Sequence, residues 1–464
     1  MPKLIKCLLV HQGAMENYGL MFVAGELKRL NCDIKWIDGD IEPFPIEQVK
    51  EYNPDYLFFS PMTFSFNKAL LIAKKVKELS IKGKCIFGGH HISAVPEDAE
   101  NEMIDYAVFG PVYGTLEKIF SGTSKTMLTG RQGEIDELNP AKEEYYNDIP
   151  SITKLPKRFI MSHFGCPFNC TYCSTSRVKS MYGPKEYKRM FLKRRSPGNV
   201  IEESKIFLKY PPKEVFMADD DCLQGKDAEG WLEEFAELWK KEINLPITTY
   251  VSPFSVNKAS EKLMRTVASL FPFINMGVQS FDKNSLKLYN REFQTEDVIR
   301  KAVSKLRKFG VRGTLELIIG VPCGDPIEEA LFSYQKLQEI APDFYCNAYP
   351  LIVFPGTDLH KYLIENNIPF NDPAKGCRIH EGFTSIIFND DIMEKIRTLS
   401  KLSNFLVSHK VNIHYMRALL EMKVDDKAAF DIAKANFIVA QMYKFGEGEE
   451  YAMKRMAAMR HFSY

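Results

Sequence analysis

The sequence predicts an α/β protein made of two consecutive strand–helix series followed by a mostly helical C-terminal region. Three observations support this fold class. Short apolar runs alternate with amphipathic helical patterns through the first 120 residues, the alternation begins again near residue 158, and it stops after Pro355-Gly356. At roughly 100 to 200 residues per domain, a chain of 464 residues has room for two to four domains.

Composition excludes several classes of protein. Lys and Arg total 61 against 60 for Asp and Glu, so the chain has no overall field that would hold a nucleic acid. No uncharged apolar run approaches the roughly 18 to 20 residues that cross a membrane, and the first residues resemble a strand more than a secretory signal. We therefore expect a cytoplasmic protein with no transmembrane segment and no nucleic-acid partner.

The first series predicts a doubly wound, Rossmann-like domain over residues 1–125. Helical periodicity lies between its strands, as in the segment 67–79. Glycines follow two of the strands, at Gly88-Gly89 and Gly110, which predicts a close approach at the sheet edge where such folds bind ligands. The predicted strands are Ile5 to Val10, Asp33 to Ile37, Tyr56 to Phe59, Lys84 to Phe87 and Tyr106 to Phe109.

The second series predicts an open barrel of six strand–helix units over residues 156–365, after a linker or strap at 126–155. Residues 366–464 then form the expected helical C-terminal domain. The chemistry of such barrels lies at the carboxyl ends of the strands. The predicted strands are Arg158 to Ser162, Glu214 to Ala218, Ile247 to Val251, Phe273 to Val278, Gly313 to Ile319 and Phe344 to Tyr349.

Three of the ten cysteines, Cys166, Cys170 and Cys173, lie together in HFGCPFNCTYCSTS, just after the first strand of the second series. In a reducing compartment, clustered cysteines indicate metal ligands. Structural zinc and cubane clusters normally take four protein ligands, so three thiolates leave one metal position open for chemistry. A zinc site completed by a remote residue such as His163 is the alternative.

The spacing CxxxCxxC, with Tyr172 as the aromatic residue before the last cysteine, resembles the signature of the radical S-adenosylmethionine (SAM) enzymes. The resemblance implies a [4Fe-4S] cluster whose unique iron is chelated by SAM. One-electron reduction then cleaves SAM to a 5'-deoxyadenosyl radical, with a flavodoxin or ferredoxin as the electron donor.

Motifs at later strands support this resemblance. GVQSFDKNSLKLYNRE at 277–292 and TLELIIGVP at 314–322 resemble the fourth and fifth strands of coproporphyrinogen-oxidase-like members, which implies SAM contacts from Gln279, Arg291 and Glu316. FMADDDC at 216–222 places Asp219 and Asp220 as candidates for the SAM amino group or the substrate. YPLIVFPGT at 349–357 resembles the sixth strand and begins at Tyr349, which with Tyr345 and Asn347 is a candidate for the substrate wall. The alternative to a functional role for each of these residues is that it is a polar group at a strand end whose hydrogen bonds are satisfied by its neighbours.

The N-terminal series, placed before such a barrel, resembles a cobalamin-binding domain. The resemblance implies that the loops after the third and fourth strands contact cobalamin. The loop after the first strand, HQGAMENYG, lacks the DxHxxG pattern, so His11 is not expected as an axial ligand. A domain of this fold that binds nothing is the alternative. The implied cobalamin contacts are Ser60, Met62, Thr63, Phe64, Gly88, Gly89 and His90.

Together these features are similar to a cobalamin-dependent radical SAM methyltransferase that methylates an unactivated carbon or phosphorus. Two alternatives stay open: a non-methylating enzyme on the same scaffold, such as an oxidative cyclase or a ring-rearranging enzyme, and a cobalamin or redox sensor without turnover. The sequence does not separate a small molecule, a lipid and a peptide as substrate.

Overall fold

The computed structural model describes residues 4–79, 81–122, 127–129, 136, 139–225, 227–375, 382–422, 428 and 431–432. Its internal contacts divide the chain into two compact units. The first unit holds the described residues of Met1–Pro167, Ser174–Lys213 and Leu238–Leu245. The second holds those of Phe168–Cys173, Glu214–Glu237 and Pro246–Tyr464.

Strands occur where the apolar runs predict them, with ends that shift by one or two residues. The described strands are β1 Lys6–His11, β2 Asp33–Asp38, β3 Tyr56–Phe59, β4 Lys84–Phe87, β5 Tyr106–Phe109, β6 Met127–Thr129, β7 Lys157–Ile160, β8 His163–Phe164, β9 Lys193–Arg194, β10 Glu214–Met217, β11 Ile247–Val251, β12 Phe273–Gln279, β13 Arg312–Ile319 and β14 Tyr345–Pro350.

Helices connect these strands and dominate the end of the described chain. They are α1 Tyr18–Arg29, α2 Ile46–Tyr52, α3 Phe66–Glu78, α4 Gly89–Ala94, α5 Leu116–Phe120, α6 Lys142–Asp148, α7 Ser174–Met190, α8 Pro197–Ser204, α9 Ile206–Lys209, α10 Ala228–Glu242, α11 Pro253–Lys258, α12 Glu261–Leu270, α13 Lys283–Leu288, α14 Glu296–Lys308, α15 Pro326–Ile340, α16 Asp358–Glu365, α17 Asp390–Ser408 and α18 Ile413–Glu421. None of the described helices is long and apolar enough to cross a membrane.

The first unit contains a parallel sheet in the order β2-β1-β3-β4-β5-β6. Helix α3 follows the amphipathic rule, since Ala69, Ile72, Ala73 and Val76 recur at helical spacing and are buried. Together with the helices between its strands, this order gives the predicted Rossmann-like topology, in which the strand order reverses between β1 and β3.

The predicted linker at 126–155 contains regular structure that the sequence pattern does not reveal. Within its described residues lie β6, which pairs with β5, and α6. Helix α6 packs against β2, where the Trp36 amide donates to Asp148 Oδ2 at 2.9 Å. Tyr145 and Tyr146 of α6 are fully buried. Tyrosine and charge in this segment therefore indicate packing rather than a solvated connection.

A buried network of charges also ties this strap into the first unit. Arg195 Nη1 donates to Glu203 Oε2 at 2.5 Å, and Lys142 Nζ lies 3.2 Å from the other oxygen of Glu203. Lys142 Nζ also donates to the carbonyl of Phe159 at 2.5 Å. Tyr18 donates a short hydrogen bond to Glu203. Because the charged side chains of this network are buried, each depends on its partners to offset its desolvation.

The second unit contains a parallel sheet in the order β14-β13-β12-β11-β10. Within the part of the chain that the structure describes, this sheet is open, because β14 has a strand neighbour on one side only. The fold class predicted from the sequence, a Rossmann-like part, a partial barrel of strand–helix units and a helical C-terminal region, is confirmed over the described residues.

Helix α17 covers the free edge of β14. Asn404 Oδ1 accepts from the Cys346 amide at 3.1 Å, Ser403 Oγ donates to the Cys346 carbonyl at 3.1 Å, and Ser400 Oγ donates to the Ala348 carbonyl at 2.8 Å. An uncovered edge leaves backbone groups without partners. Polar side chains of α17 therefore make hydrogen bonds to the edge of β14 that a further strand would otherwise make. Residues 433–464 of the helical C-terminal region lie outside the described residues.

Candidate functional site

The three clustered cysteines lie in one loop between β8 and the start of α7 at Ser174. Cys170 is buried, and Cys166 and Cys173 are half-buried. A turn closes the loop, since the Cys173 amide donates to the Cys170 carbonyl at 3.1 Å. Gly165 precedes the first cysteine with φ +77°, which a residue with a side chain rarely adopts. Local turn geometry thus gathers the cysteines on a short stretch of backbone.

Arg291 joins the motif of the fourth barrel strand to this loop. Its Nη1 lies 3.7 Å from Cys170 Sγ and donates to the Tyr172 hydroxyl at 2.8 Å, while Nη2 donates to Gln294 Oε1 at 2.7 Å. Gln294 in turn donates to the Val278 carbonyl. The guanidinium is buried, so it stabilises negative charge on the cysteine sulfur. Gln294 was not among the predicted site residues, although it stands only three residues after Arg291.

Thr171 anchors the second half of the loop to the end of α13. Its amide donates to the Tyr289 carbonyl at 3.2 Å, and its hydroxyl donates to the Leu288 carbonyl at 2.6 Å. The rings of Tyr172 and Tyr289 meet edge to face at 5.0 Å. These contacts fix the cysteine loop against the GVQ…NRE segment, which explains why the two motifs work as one structural feature.

Gln279 ends β12 in a strained conformation. Its φ is +69°, in the left-handed region, and the pairing with β13 shifts register there. Its side chain folds back across Gly277, where a Cβ would lie 2.4 Å from Gln279 Nε2. Strain of this kind in a residue other than glycine concentrates at functional sites. Gly277, which was not among the predicted site residues, makes room for this amide.

Glu316 lies in the same row of the sheet. In the register of β13 it pairs with Gly277 on β12 and with Asn347 on β14. Tyr349 is 50% exposed and accepts a hydrogen bond from Asn347 Nδ2 at 3.3 Å. The surrounding protein and then the Glu316 carboxylate raise the pKa of the Tyr349 hydroxyl, so it stays protonated at neutral pH. Carboxylate, amide and hydroxyl groups suited to binding ribose or substrate therefore share one surface.

The aspartate run follows β10, and its three members differ in their surroundings. Asp221 accepts from the Ser252 amide at 3.1 Å and from Ser255 Oγ at 2.9 Å, which holds the start of α11. Asp219 is buried and Asp220 is exposed. Desolvation by nearby protein, then the charges of Asp219 and Asp221, raise the pKa of Asp220 to about 6. Asp220 is thus the member of the run that is open to a ligand.

The donor chemistry fits a [4Fe-4S] cluster with SAM. Three thiols and a cation beside one sulfur suit an anionic cluster, and the loop would supply three of the four ligands that such a cluster takes. The Gln279 amide and the Glu316 carboxylate stand at the ends of β12 and on β13, where polar groups of a cosubstrate are bound in barrels of this kind.

In the first unit, the loops after β1 and β3 flank the topological switch point of the sheet. Asn17 Nδ2 donates to the Ser60 carbonyl at 3.1 Å, which joins the two loops. Two apolar side chains of the β3 loop are exposed, Met62 at 53% and Phe64 at 41%. Ligands of doubly wound sheets bind at this edge, and adjacent exposed apolar side chains there fit a large ring such as cobalamin.

His90 and His91 have different surroundings. His91 is buried, with Nδ1 at 3.2 Å from Thr63 Oγ1 and Nε2 at 2.8 Å from Asp98 Oδ2. His90 is exposed at the surface. The surrounding protein nevertheless desolvates its ring and lowers its pKa, as expected for a side chain that lines a recess. Thr63 is therefore engaged with His91, while His90 stands open to a ligand.

The close approaches expected at the glycines are made to other atoms of the protein. A Cβ on Gly89 would lie 2.4 Å from Ser60 Oγ, and one on Gly110 would lie 2.1 Å from the Tyr182 hydroxyl. Gly88 is less crowded, with the Val108 carbonyl at 3.3 Å from its added Cβ. Packing of protein atoms at the strand ends is therefore a sufficient reason for glycine at these positions.

His11 is buried at the end of β1. Its Nδ1 lies 3.1 Å from the Tyr145 hydroxyl, and burial lowers the pKa of its ring. The ring is thus engaged by Tyr145 of the strap, and the expectation that His11 is not an axial ligand stays a prediction.

Comparisons with known proteins identify the class. The model of the B12 binding domain matches residues 7–120, and that of the radical SAM superfamily matches residues 160–333. The chain therefore belongs to the cobalamin-dependent radical SAM proteins, in which a B12-binding domain precedes a radical SAM domain. It is an enzyme, and its cofactors are a [4Fe-4S] cluster, SAM and cobalamin. This assignment replaces the zinc alternative for the cysteine loop.

Particular relatives and structures are similar to the chain. An uncharacterized methyltransferase of Pyrococcus horikoshii is 26% identical over 380 residues, which cover 75% of this chain and 79% of the relative. Bacteriochlorophyllide d C-8(2)-methyltransferase of Chlorobaculum tepidum is 24% identical, covering 71% of this chain and 73% of that protein. The radical SAM methyltransferase TsrM of Kitasatospora setae, solved with cobalamin and a [4Fe-4S] cluster, shares the fold with a TM-score of 0.60, 15% identity and coverage of 78% and 75%.

Proposed function

We propose that the protein is a cobalamin-dependent radical SAM methyltransferase that methylates an unactivated carbon or phosphorus. The observation that carries the proposal is the order of a B12-binding and a radical SAM domain in a chain whose relatives include two methyltransferases. We also propose a division into domains at 1–125, 126–155, 156–365 and 366–464; the matched ranges 7–120 and 160–333 fall within the first and the third of these.

The proposed roles follow from the surroundings of each side chain. Cys166, Cys170 and Cys173 hold the cluster. Tyr172 and Arg291 support the loop, and both belong to the cofactor-binding residues, Arg291 as a contact of SAM. Gln279 and Glu316 bind polar groups of SAM. Asp219 and Asp220 orient the SAM amino group or the substrate, and Tyr349 belongs to the substrate wall.

In the first unit, we propose that the open side chains Met62, Phe64 and His90 contact cobalamin. Ser60, Thr63, Gly88 and Gly89 then shape the loops that present them, since Ser60 packs on Gly89 and Thr63 bonds to His91.

When bound, SAM and the cluster would supply radical chemistry for removing a substrate hydrogen, and cobalamin would supply the methyl group. The chain binds and orients these groups and excludes water. Such chemistry yields 5'-deoxyadenosine and S-adenosylhomocysteine together, which distinguishes methyl transfer from a non-methylating reaction.

The test is anaerobic reconstitution with iron, sulfide and hydroxocobalamin, followed by reduction with SAM and mass spectrometry of both products. Retained cobalamin with both products supports the proposal. Cys170→Ala should abolish deoxyadenosine formation and spare cobalamin binding, while the matched control Cys323→Ala, outside the loop, should keep both. Absence of bound cobalamin in the wild type would contradict the proposal.

A further inference from the structure

Two neighbouring strands of the first unit end in side chains that can bind a metal ion. The parallel pairing of β1 with β2 places His11 opposite Asp38, and each is the last residue of its strand. Asp40 follows two residues later. A ring nitrogen of His11 and one carboxylate oxygen from each aspartate all lie within 4.8 Å of one another. The edge of the sheet thus gathers one imidazole and two carboxylates.

Gly39, the residue between the two aspartates, brings the two strand ends close together. Its amide donates to the His11 carbonyl at 2.8 Å. A Cβ added at Gly39 would lie 2.8 Å from that carbonyl and 3.2 Å from Gln12 Cγ, so a residue with a side chain does not fit here. The Gln12 side chain therefore lies against the residue that separates the aspartates.

Gln12 brings a buried polar group that needs a partner. Its side chain belongs to a residue that is 6% exposed, and within the part of the chain that the structure describes neither its amide nitrogen nor its amide oxygen makes a hydrogen bond. A buried amide without a partner costs stability, so such groups call for an explanation. An ion bound by the amide oxygen provides one, and this observation is independent of the two aspartates.

Protein contacts hold the other groups of the site in place. The Tyr145 hydroxyl lies 3.1 Å from His11 Nδ1, and histidines that bind metals usually keep such a contact on their second nitrogen. The Gly13 amide donates to Asp40 Oδ2 at 2.6 Å, and the Gly13 carbonyl accepts from the His11 ring. The Asp40 amide donates to Asp38 Oδ1 at 2.9 Å. The candidate ligands therefore stand on a braced backbone.

A lysine of α3 competes for one of the carboxylates. Lys68 Nζ lies 3.0 Å from Asp40 Oδ1 and 3.5 Å from Glu42 Oε1. Both members of the Lys68–Asp40 pair are partly exposed, so this contact is weak and an ion can replace it at little cost. Lys68 would keep Glu42 as its partner.

We propose that the edge of β1 and β2 binds one divalent transition-metal ion, such as Mn²⁺. Two carboxylates balance the charge of such an ion, and an imidazole ligand favours a transition metal over Ca²⁺ or Mg²⁺. The ion would join the loops after the two strands and, through Tyr145, the strap. Its proposed ligands are His11, Gln12, Asp38 and Asp40.

The experiment uses the full-length protein with its cluster reconstituted and oxidised, desalted into metal-free buffer, and Mn²⁺ as the probe. Mn²⁺ prefers oxygen and imidazole to thiolate, so the cysteine loop does not compete for it. The electron paramagnetic resonance signal of free Mn²⁺ gives the Kd. The wild type should bind about one Mn²⁺ per chain, and Asp38→Asn/Asp40→Asn should weaken the Kd about tenfold or more. The control Glu47→Gln/Glu51→Gln removes the same charge from exposed residues of α2 and should bind like wild type.

Two further variants separate a ligand role from damage to the fold. Without Mn²⁺, Gln12→Met should raise the Tm by about 2 °C or more, because it removes the buried amide without a partner. The same variant should weaken the Kd for Mn²⁺ about fivefold, since an oxygen ligand is lost. Lys68→Met keeps every proposed ligand and removes the competing ammonium, so it should tighten the Kd about threefold or more.

The proposal is overturned if the wild type shows no saturable Mn²⁺ binding, or if Asp38→Asn/Asp40→Asn binds as tightly as the wild type. Equal weakening in the control would also overturn it, because surface charge in general would then gather the ion. If circular dichroism shows that the double variant does not fold, the other two variants decide, and an unchanged Kd in both Gln12→Met and Lys68→Met would reject the site.

Discussion

Arg291 donates a hydrogen bond from Nη1 to the Tyr172 hydroxyl at 2.8 Å, across 119 residues of sequence. The same nitrogen lies 3.7 Å from Cys170 Sγ, and the guanidinium is buried. The structure thus places a fixed positive charge beside the cluster-binding loop. Such a charge stabilises a more negative cluster, so it favours the reduced state.

Arg291→Met should make the reduction potential of the cluster more negative, on the order of 100 mV, because a buried unit charge a few ångströms away acts at low effective dielectric. Spectroelectrochemical titration without SAM measures the potential. The control Arg300→Met removes an exposed cation of α14, paired with Glu296, and should leave the potential nearly unchanged. Equal potentials in Arg291→Met and wild type would contradict the role.

Gly277→Ala should displace the Gln279 amide, because the new Cβ would lie 2.4 Å from Gln279 Nε2. The colliding atom ends a flexible side chain, so the free energy of unfolding should change by less than about 1 kcal/mol. The Kd for SAM, measured by equilibrium dialysis, should rise about fivefold or more. Gln279→Ala should have the same effect, and the double variant should be no worse than either single one.

Glu203→Gln should lower the free energy of unfolding by about 3 to 5 kcal/mol, because it leaves Arg195 and Lys142 as buried cations without their carboxylate. These cations outweigh burial and hold the pKa of Glu203 below its usual range. The control Glu143→Gln breaks the exposed pair with Lys209 and should cost less than about 1 kcal/mol. Urea denaturation provides the comparison, and similar losses in both variants would refute the network's role.

Glu329 should make stability depend on pH. Burial raises the pKa of this carboxyl to about 7. A folded-state pKa above the unfolded value means that the folded chain binds more protons, so this group's contribution weakens as pH rises from about 4.5 to about 7. The Glu329→Gln side chain cannot ionise, so the variant should lose this pH-dependent decline in stability. It keeps an acceptor for Ser280 Oγ, which in the wild type lies 2.5 Å from Glu329 Oε1.

The measurement is the free energy of unfolding of wild type and Glu329→Gln at pH 5, 6 and 7. The variant should gain on the wild type as pH rises, by an amount on the order of a few kcal/mol at most. A constant difference across this range would show that Glu329 does not titrate there.

Local patterns were enough to predict much of this protein. Apolar runs located five strands of the first sheet, because a buried parallel strand needs a continuous apolar stretch. The three-residue strand β6 and helix α6 were missed, since one is too short for a pattern and the other is rich in charge and tyrosine. Charged residues of the strap are buried only because partners distant in sequence offset their desolvation.

For the candidate site, the sequence by itself determined the cysteine loop, the order of the domains and the class of cofactor, because ligand type and spacing are local properties of the chain. Only the tertiary structure decided that Arg291 meets Tyr172 and that Ser60 crowds Gly89. The physical reason is that these contacts join side chains from different strands and loops. Such a contact depends on how the sheet register brings distant residues together, which no local pattern contains.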